Sequence, residues 1–269
     1  MGGKFFLMSK KGTWIWQKAG FELGNFVMLT PALQLLNGMN GKPIKVFFDN
    51  NYISELYKVC PFLRILTQKP DTIPRYCTKS PPRNRHESDT EAWCRLYAKQ
   101  RKNLPSPYID PPSRVSKLVK EDGKKYVAVI HGCHNKSVFQ DRKDVGKKIL
   151  SHTIKRLIEN GLVPVIIGNK SDKNKFWKKI DLDGCIDYLG KFKLKKSVDI
   201  LNSCDYFIAN DTGLYHIAAA LHKTGLVLWK KTDYDKNREA SKKISHCRNR
   251  SGSFDVYKNF VDTHIEKWR

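Results

Sequence analysis

Short apolar runs alternate with amphipathic segments over much of the chain. In the first third, apolar runs at residues 4–8, 44–48 and 63–66 have the length and composition of strands. Apolar positions at helical spacing predict a helix over residues 26–38, and a shorter helix is predicted over 51–59. Strands that alternate with helices in this way are typical of a parallel sheet with crossover helices.

A second alternating series begins at Tyr126 and again favours a parallel sheet. The predicted strands lie at residues 126–132, 162–168, 185–190, 205–210 and 225–229. The predicted helices lie at residues 146–161, 171–180, 194–204 and 212–221.

Proline-rich, charged stretches separate the two series between residues 67 and 122. Inside this region a helix is predicted at 91–102, and residues 103–117 are interpreted as a linker because their prolines prevent long regular elements. We therefore predict an α/β protein with two Rossmann-like domains, 1–122 and 123–269. The domains are expected to face a central cleft, because ligands of such sheets bind outside the carboxyl ends of the strands.

The charge of the chain is strongly positive. Its formal net charge of +24 and isoelectric point of about 9.7 exceed what solubility requires. Such an excess indicates a polyanionic partner, and a lysine-rich solvated surface is the alternative.

Seven cysteines are spread along the chain, and none forms a CxxC pair. This pattern favours reduced thiols in a cytoplasmic protein, in the host cytoplasm if the chain is viral, over disulfides or structural zinc. The first residues lack the long apolar region and cleavage site of a signal peptide. No apolar run approaches the roughly 18 residues of a membrane span, so no integral membrane contact is expected.

The clearest chemical motif is NDTGLYHIAAAL at residues 210–221, a polar turn that leads into an apolar helix. We predict that Asp211 and Thr212 cap this helix and that its free N–H groups hold a diphosphate. Gly213 would let a phosphate approach the backbone closely. In the alternative interpretation, Asp211 or Thr212 is only a helix cap and His216 only a core histidine.

Basic residues follow the first strand of the second series, at its carboxyl end. The candidates to neutralise a leaving diphosphate there are His131, His134, Lys136, Arg142 and Lys143. A metal site at His131, Cys133 and His134 is the alternative, but adjacent residues on one loop seldom converge on one ion, so no metal is predicted.

A second glycine turn, GFELGNF at residues 20–26, ends a predicted polar connection over 9–25. Gly24 permits the tight turn, and Glu22 and Asn25 are expected to face the cleft. Pro31 is expected near the start of the following helix, where proline is tolerated.

Three segments resemble glycosyltransferase family 9, the ADP-heptose lipopolysaccharide heptosyltransferase group. In chain order they are GFELGNFVMLTPALQLL, GLVPVIIGNKSD and LGKFKLKKSVDILNSCDYFIANDTGLYHIAAAL. The resemblance covers most of the chain outside residues 67–122. It implies a GT-B fold with the nucleotide sugar in the C-terminal domain, the acceptor on the N-terminal domain, and no metal or other cofactor.

The resemblance also implies roles for individual residues. Those expected to surround a UDP- or ADP-sugar donor are Asp211, Thr212, Gly213, Leu214 and His216. It further implies that Lys143 lies near the phosphates, and that Gly168 and Asn169 lie near the nucleoside.

One position departs from the family pattern. Where heptosyltransferases have an aspartate thought to act as general base, this chain has Asn25, and an amide cannot take a proton from a hydroxyl. Glu22 is the first candidate for the general base in its place, and Asp49 is the second. The alternative for Glu22 is an ordinary exposed carboxylate.

Basic residues alternate with aromatic ones between residues 67 and 122, which suits a phosphate backbone with unstacked bases. The acceptor-binding candidates are Arg83, Arg85, Trp93 and Arg95. A second basic stretch occupies residues 229–250. We therefore predict transfer of a hexose or pentose to hydroxymethylated pyrimidines in DNA, such as hydroxymethylcytosine. The alternatives are a heptosyltransferase-like enzyme for lipopolysaccharide or another phosphorylated glycan, and an inactive GT-B protein that binds nucleic acid.

Overall fold

Parallel sheets flanked by helices build both halves of the chain in the computed structural model. The structure describes residues 14–17, 23–70, 76–77, 84, 87–100, 102–112, 118, 120–132, 140–238 and 241–269. The chain divides into two compact units, Met1–Asp110 and Pro111–Arg269. The domain boundary expected after residue 122 stays a prediction.

The first unit is built on a parallel sheet. Its strands are β1 (Trp14–Gln17), β2 (Ile44–Phe48), β3 (Leu63–Leu66) and β4 (Tyr76–Cys77). Its helices are α1 (Leu23–Asn40), α2 (Asn51–Ser54) and α3 (Asp89–Ala98). The described strands stand in the order β3–β2–β1–β4, and α1 packs against α3.

Helix α1 begins earlier than the sequence pattern predicts, which puts Pro31 in its interior instead of near its start. Proline has no N–H to donate to the carbonyl of Val27, four residues before it. The hydroxyl of Thr30 donates to that carbonyl at 2.7 Å instead, and it accepts the N–H of Tyr108 at 2.7 Å. Thr30 thereby satisfies the carbonyl that proline leaves open, and it ties the segment at Tyr108 to the helix.

The second unit contains a six-stranded parallel sheet in its described residues. Its strands are β5 (Lys125–Ile130), β6 (Leu162–Ile167), β7 (Ile186–Asp187), β8 (Tyr206–Asn210), β9 (Thr224–Trp229) and β10 (Ile244–Arg248). Its helices are α4 (Gln140–Lys143), α5 (Lys147–Glu159), α6 (Lys170–Lys175), α7 (Leu194–Ser203), α8 (Gly213–Ala220), α9 (Tyr234–Asn237) and α10 (Phe254–Trp268). The strand order is β10–β9–β8–β5–β6–β7.

Helices α5 and α10 pack against each other beside this sheet. Along α10, Tyr257, Val261 and Ile265 repeat every four residues and are fully buried, as one face of a helix requires. Each such side chain contributes about 1.5 to 3 kcal/mol by leaving water. At the rim of the contact, a ring nitrogen of His152 lies 2.8 Å from the carboxylate of Asp262.

The predicted alternation of strands and helices is confirmed, but the prediction missed several elements, among them the short elements β4, α4 and α9. Strand β1 lies inside the predicted polar connection, and β10 lies inside the stretch interpreted only as basic, with Ile244 and Cys247 buried. Helix α10 had no counterpart in the prediction. The strand predicted at residues 4–8 lies outside the described residues.

Among the cysteines whose side chains the structure describes, Cys60, Cys94, Cys185, Cys204 and Cys247 have free thiols. The predicted reducing compartment stays a prediction. None of the helices in the described part of the chain is both long and apolar enough to cross a membrane.

Candidate functional site

The order of the strands in the second unit creates a crevice between β5 and β8. From β5 the chain proceeds outward through β6 and β7, and from β8 it proceeds in the opposite direction through β9 and β10. The connections that follow β5 and β8 therefore diverge, and such a switch point is where ligands bind in open parallel sheets. His131 and Gly132 follow β5 there, and Asp211 and Thr212 follow β8.

Asn210, the last residue of β8, connects the loops at this switch point. Its side-chain amide donates to the carbonyls of Gly132 at 3.2 Å and Lys143 at 3.1 Å. Its amide oxygen accepts the N–H of Gly132 through a longer bond of 3.4 Å. The side chain is buried, so these bonds fix the loop after β5 against the turn before α8. Asn210 belongs to the motif at residues 210–221, where the sequence pattern predicted no role for it.

Asp211 places a buried carboxylate beside Lys143, Asn237 and His216. One of its oxygens accepts from the side chain of Asn237 at 3.1 Å and lies 3.4 Å from the ammonium of Lys143. The other oxygen lies 3.9 Å from a ring nitrogen of His216, which is also buried. Three residues that the sequence assigns to the donor, Asp211, Lys143 and His216, are thereby brought together. Asn237 joins them from a segment that no local sequence pattern links to this site.

The start of helix α8 has an unsatisfied polar group. Thr212 occupies the N-cap position, but its hydroxyl makes no capping hydrogen bond, which corrects the predicted side-chain cap. The hydroxyl oxygen is buried and has no hydrogen-bond partner among the described residues. Gly213 and Leu214 form the half-buried first turn, whose N–H groups point to the helix start. A buried hydroxyl next to free N–H groups is suited to an anionic oxygen.

His131 is buried and holds the loop that follows β5. A ring nitrogen lies 2.9 Å from the carboxylate of Asp144, and the ring packs edge-on against Phe176. Burial alone would raise the pKa of Asp144, but the hydrogen bond and charge of His131 and the N–H of Gly146 outweigh it and lower that pKa. The carbonyl of His131 accepts the indole N–H of Trp177 at 2.9 Å. In this structure His131 therefore fixes the loop, and a direct contact with the donor stays a prediction.

The turn after β6 lies beside the same loop. Asn169 caps α6 in a reciprocal pair with Asp172, with hydrogen bonds of 3.0 and 2.9 Å. The carboxylate of Asp172 is buried, and a Cβ atom added at Gly132 or Gly168 would come within 3.2 Å of it. Gly132 is required by this close approach, and a side chain at Gly168 would also crowd a methyl group of Leu189 at 2.9 Å. The side chain of Asn169 is engaged in the cap, and its predicted proximity to a nucleoside stays a prediction.

The other predicted donor residues lie at the margin of the site or outside the described chain. Arg142 is exposed on α4, and its carbonyl accepts the N–H of Lys231 at 2.9 Å, which joins the loops after β5 and β9. Lys136, Cys133 and His134 lie outside the described residues. No group of three or more His, Cys, Asp or Glu side chains suited to a metal occurs within the described ranges.

The first unit carries its candidates at the carboxyl edge of its own sheet. Gly24 and Asn25 lie in the first turn of α1, the helix that follows β1. Asp49 follows β2 and is exposed, and its N–H donates to the carbonyl of Gln17, the last residue of β1, at 3.0 Å. Glu22 lies outside the described residues.

Of the predicted acceptor-binding residues, the structure corrects Trp93. Trp93 is fully buried in α3, so its indole cannot stack on an acceptor base. Arg95 donates two hydrogen bonds to Glu87, at 2.7 and 2.8 Å, and its role in acceptor binding stays a prediction. Arg83 and Arg85 lie outside the described residues. The aromatic spacing was misinterpreted because the burial of Trp93 depends on packing between α1 and α3.

Comparison with known proteins identifies the family. Residues 88–266 match the sequence model of glycosyltransferase family 9 (heptosyltransferase). A segment of 74 residues is 36% identical to lipooligosaccharide heptosyltransferase 2 of Haemophilus ducreyi; it makes up 25% of this chain and 21% of that protein. This chain therefore matches only about a fifth of the length of that relative.

Solved structures share the fold over almost the whole chain. The E. coli ADP-heptose lipopolysaccharide heptosyltransferase II superposes with a TM-score of 0.72 at 14% identity, covering 96% of this chain and 99% of that one. The E. coli heptosyltransferase WaaC with ADP gives a TM-score of 0.65 at 12% identity, covering 95% and 99%. The predicted resemblance and the predicted GT-B fold are confirmed.

Proposed function

The chain belongs to glycosyltransferase family 9, and from this premise we propose that it transfers a sugar from a nucleoside diphosphate to an acceptor hydroxyl. The observation that carries the proposal is the start of α8, where the buried hydroxyl of Thr212 has no partner among the described residues. Helix N–H groups and the nearby ammonium of Lys143 supply the positive field that a diphosphate requires. An ADP-sugar is the favoured donor because two of the similar structures carry ADP in their names. A UDP-sugar is the other candidate.

The reaction requires no metal in this proposal. The acceptor oxygen bonds to the anomeric carbon of the sugar while the bond from that carbon to the diphosphate oxygen breaks. The departing diphosphate keeps the electron pair, and the dipole of α8 and Lys143 stabilise its charge. A carboxylate of the first unit takes the proton of the acceptor; Glu22 is the first candidate and Asp49 the second, because the amide of Asn25 cannot accept it.

The proposed acceptor is a phosphorylated glycan of the lipopolysaccharide type. The names of the similar proteins support this acceptor, since they are described as lipopolysaccharide or lipooligosaccharide heptosyltransferases. DNA with hydroxymethylated pyrimidines is the second candidate, favoured by the net charge of +24. A cytoplasmic location, as predicted from the unpaired cysteines, is part of the proposal.

Calorimetric titration with ADP and UDP tests the donor site. The variant Thr212→Val keeps the shape of the side chain and removes the hydroxyl, so we expect ADP to bind about 3- to 12-fold more weakly, equivalent to about 0.7 to 1.5 kcal/mol. Without ligand the same variant should unfold at the same or a higher temperature, because a buried unpaired hydroxyl is costly. Thr263→Val is the control, as Thr263 is exposed on α10 and bonds only within that helix. Unchanged ADP affinity in Thr212→Val, or no nucleotide binding at all, would refute the proposed site.

Product analysis then separates the acceptors. ADP-heptose and other ADP- and UDP-sugars are incubated with truncated lipooligosaccharide or with hydroxymethylcytosine DNA, and the products are analysed by mass spectrometry. A mass shift of the glycan supports the first acceptor, and a shift of the nucleoside supports the second. If the chain binds nucleotide but no sugar is transferred to the glycan or to the DNA, both proposed acceptors are excluded. That result would support the alternative of an inactive GT-B protein.

A further inference from the structure

Lysines are concentrated in one segment of the second unit. Nine lysines and no arginine occur between residues 170 and 196. Six of them lie in α6, just before α7 or in the first turn of α7. We call these six the lysine surface: Lys170, Lys173, Lys191, Lys193, Lys195 and Lys196.

The two parts of the lysine surface are held together by the backbone. The N–H of Gly190 donates to the carbonyl of Gly168 at 2.9 Å. A Cβ atom at Gly190 would lie 2.8 Å from the Cα of Lys170, so the turn before Lys191 touches the start of α6. Because α6 and α7 follow β6 and β7, the lysine surface lies at the carboxyl edge of the sheet, the same edge as the turn before α8.

The positive charge of this surface is almost uncompensated. Lys173 has a carboxylate partner, Asp187, at 3.4 Å, whereas the other five lysines have no ion pair in the described chain. The nearest acid in sequence, Asp172, is buried in the cap of α6. The exposed acids Asp181 and Asp183 precede Gly184, which approaches Ile158 near the end of α5, at the opposite edge of the sheet.

The first turn of α7 carries basic residues at the end of the helix where acidic residues are favoured. Lys193 is its N-cap without a side-chain capping bond, Lys195 and Lys196 follow, and the turn contains no acidic residue. Cations at the positive end of a helix dipole are unfavourable. Residues that oppose the local preference of a helix without improving its packing are typical of functional surfaces. Here a bound anion would neutralise both the lysine charges and the positive end of the α7 dipole.

The composition of the surface distinguishes among polyanions. Its aromatic residues, Tyr188 and Phe192, pack edge-on against each other with ring centroids 5.2 Å apart and are half-buried. The large exposed apolar side chains of the described chain lie elsewhere: Met39, Tyr52, Val59, Ile158 and Val256. A basic patch without an inserted apolar group is a weak membrane anchor. Lysines alone suit a polymer of regularly spaced phosphates that is bound without reading its sequence.

We propose that the lysine surface binds the phosphate backbone of a nucleic acid, independently of base sequence. This inference goes beyond the proposed function, because it holds whether the acceptor is a glycan or DNA. In the second case it would also name the surface that brings the acceptor to the donor edge of the sheet.

Fluorescence anisotropy of labelled 20-base-pair DNA with the full chain, from 50 to 300 mM salt, tests the proposal. The triple variant Lys191→Gln, Lys193→Gln and Lys195→Gln removes three unpaired charges and leaves the donor residues intact. We expect affinity at 100 mM salt to fall at least tenfold. The slope of log K against log salt should become shallower by about 3, since each lost phosphate contact removes about 0.9.

A matched control variant also removes three positive charges, but from positions outside the lysine surface. Lys42→Gln, Lys58→Gln and Lys267→Gln remove three exposed lysines after α1, after α2 and at the end of α10, outside both basic stretches, and should weaken DNA binding less than threefold. Circular dichroism and ADP titration are run on both variants. Equal losses in both variants, or binding to phosphatidylserine vesicles but not to DNA, would overturn the proposal. If the wild-type chain binds DNA through this surface but does not bind ADP, the proposed function is rejected and the inference about the lysine surface still holds.

Discussion

Gly132 offers a sharp test of how the loop after β5 is held. A Cβ atom at this position would lie within 3.0 Å of the carboxylate of Asp172, closer than real Cβ contacts come. Asp172 cannot move away freely, because it is buried and its oxygen accepts the N–H of Asn169 at 2.9 Å. Gly132→Ala therefore forces either the capping pair or the backbone of the loop to shift.

The expected cost follows from these two contacts. Loss of a helix cap costs about 0.5 to 2 kcal/mol, and overpacking of a buried site costs about 1 to 3 kcal/mol. We expect Gly132→Ala to lower the free energy of unfolding by about 2 to 4 kcal/mol. Urea unfolding followed by circular dichroism measures this as a shift of the midpoint at constant m-value.

A double variant isolates the cause. Asp172→Ala removes the obstructing carboxylate, so adding Gly132→Ala to it should cost less than about 1 kcal/mol. Gly38→Ala is the control for a harmless methyl group, because among the described residues no side chain or backbone atom beyond the neighbouring turns of α1 lies within 4 Å of the Cβ position there. A loss below about 0.5 kcal/mol in Gly132→Ala, or full additivity with Asp172→Ala, would refute the steric explanation.

Three further predictions concern charge, pH and helix propensity. Asn237→Asp puts a second carboxylate beside Asp211, where the amide now donates at 3.1 Å; calorimetry should show a loss of stability of about 1 to 3 kcal/mol that shrinks as the pH is lowered, because the pair then shares a proton. Burial, with a smaller effect of a nearby arginine, lowers the pKa of His246 to about 4. Between pH 6.5 and 4 the unfolded chain therefore binds more protons than the folded chain, and stability is lost as the pH falls through that range. The expected loss in the free energy of unfolding is about 2 kcal/mol from pH 7 to pH 5. His246→Asn does not titrate and can still accept from Trp229, whose indole N–H donates to the histidine at 3.0 Å, so a pH series of thermal unfolding should have a flatter acid limb; an unchanged limb would contradict the assignment. Gly38→Ala should raise stability by about 0.5 to 1 kcal/mol in urea, and a loss would show that α1 needs the glycine.

Much of the α/β organisation could be predicted from the sequence because it depends on local periodicity. Helix α5 has its apolar stripe and β6 and β8 have their apolar runs within a few residues of chain. The motif at residues 210–221 could be recognised for the same reason, since the turn and the helix are contiguous. The family resemblance rested on such contiguous segments.

Tertiary structure alone decided which distant groups meet. The contact of Asn237 with Asp211 joins residues 26 positions apart across β9, and no local pattern marks it. Likewise Trp93 is buried because α3 packs on α1, although charged residues, Glu91 and Arg95, lie two positions before and after it. The periodicity of apolar side chains indicates which face of a helix or strand is buried. The partner of a polar group depends instead on the order of strands in the sheet, and here that order brings β5 and β8 together.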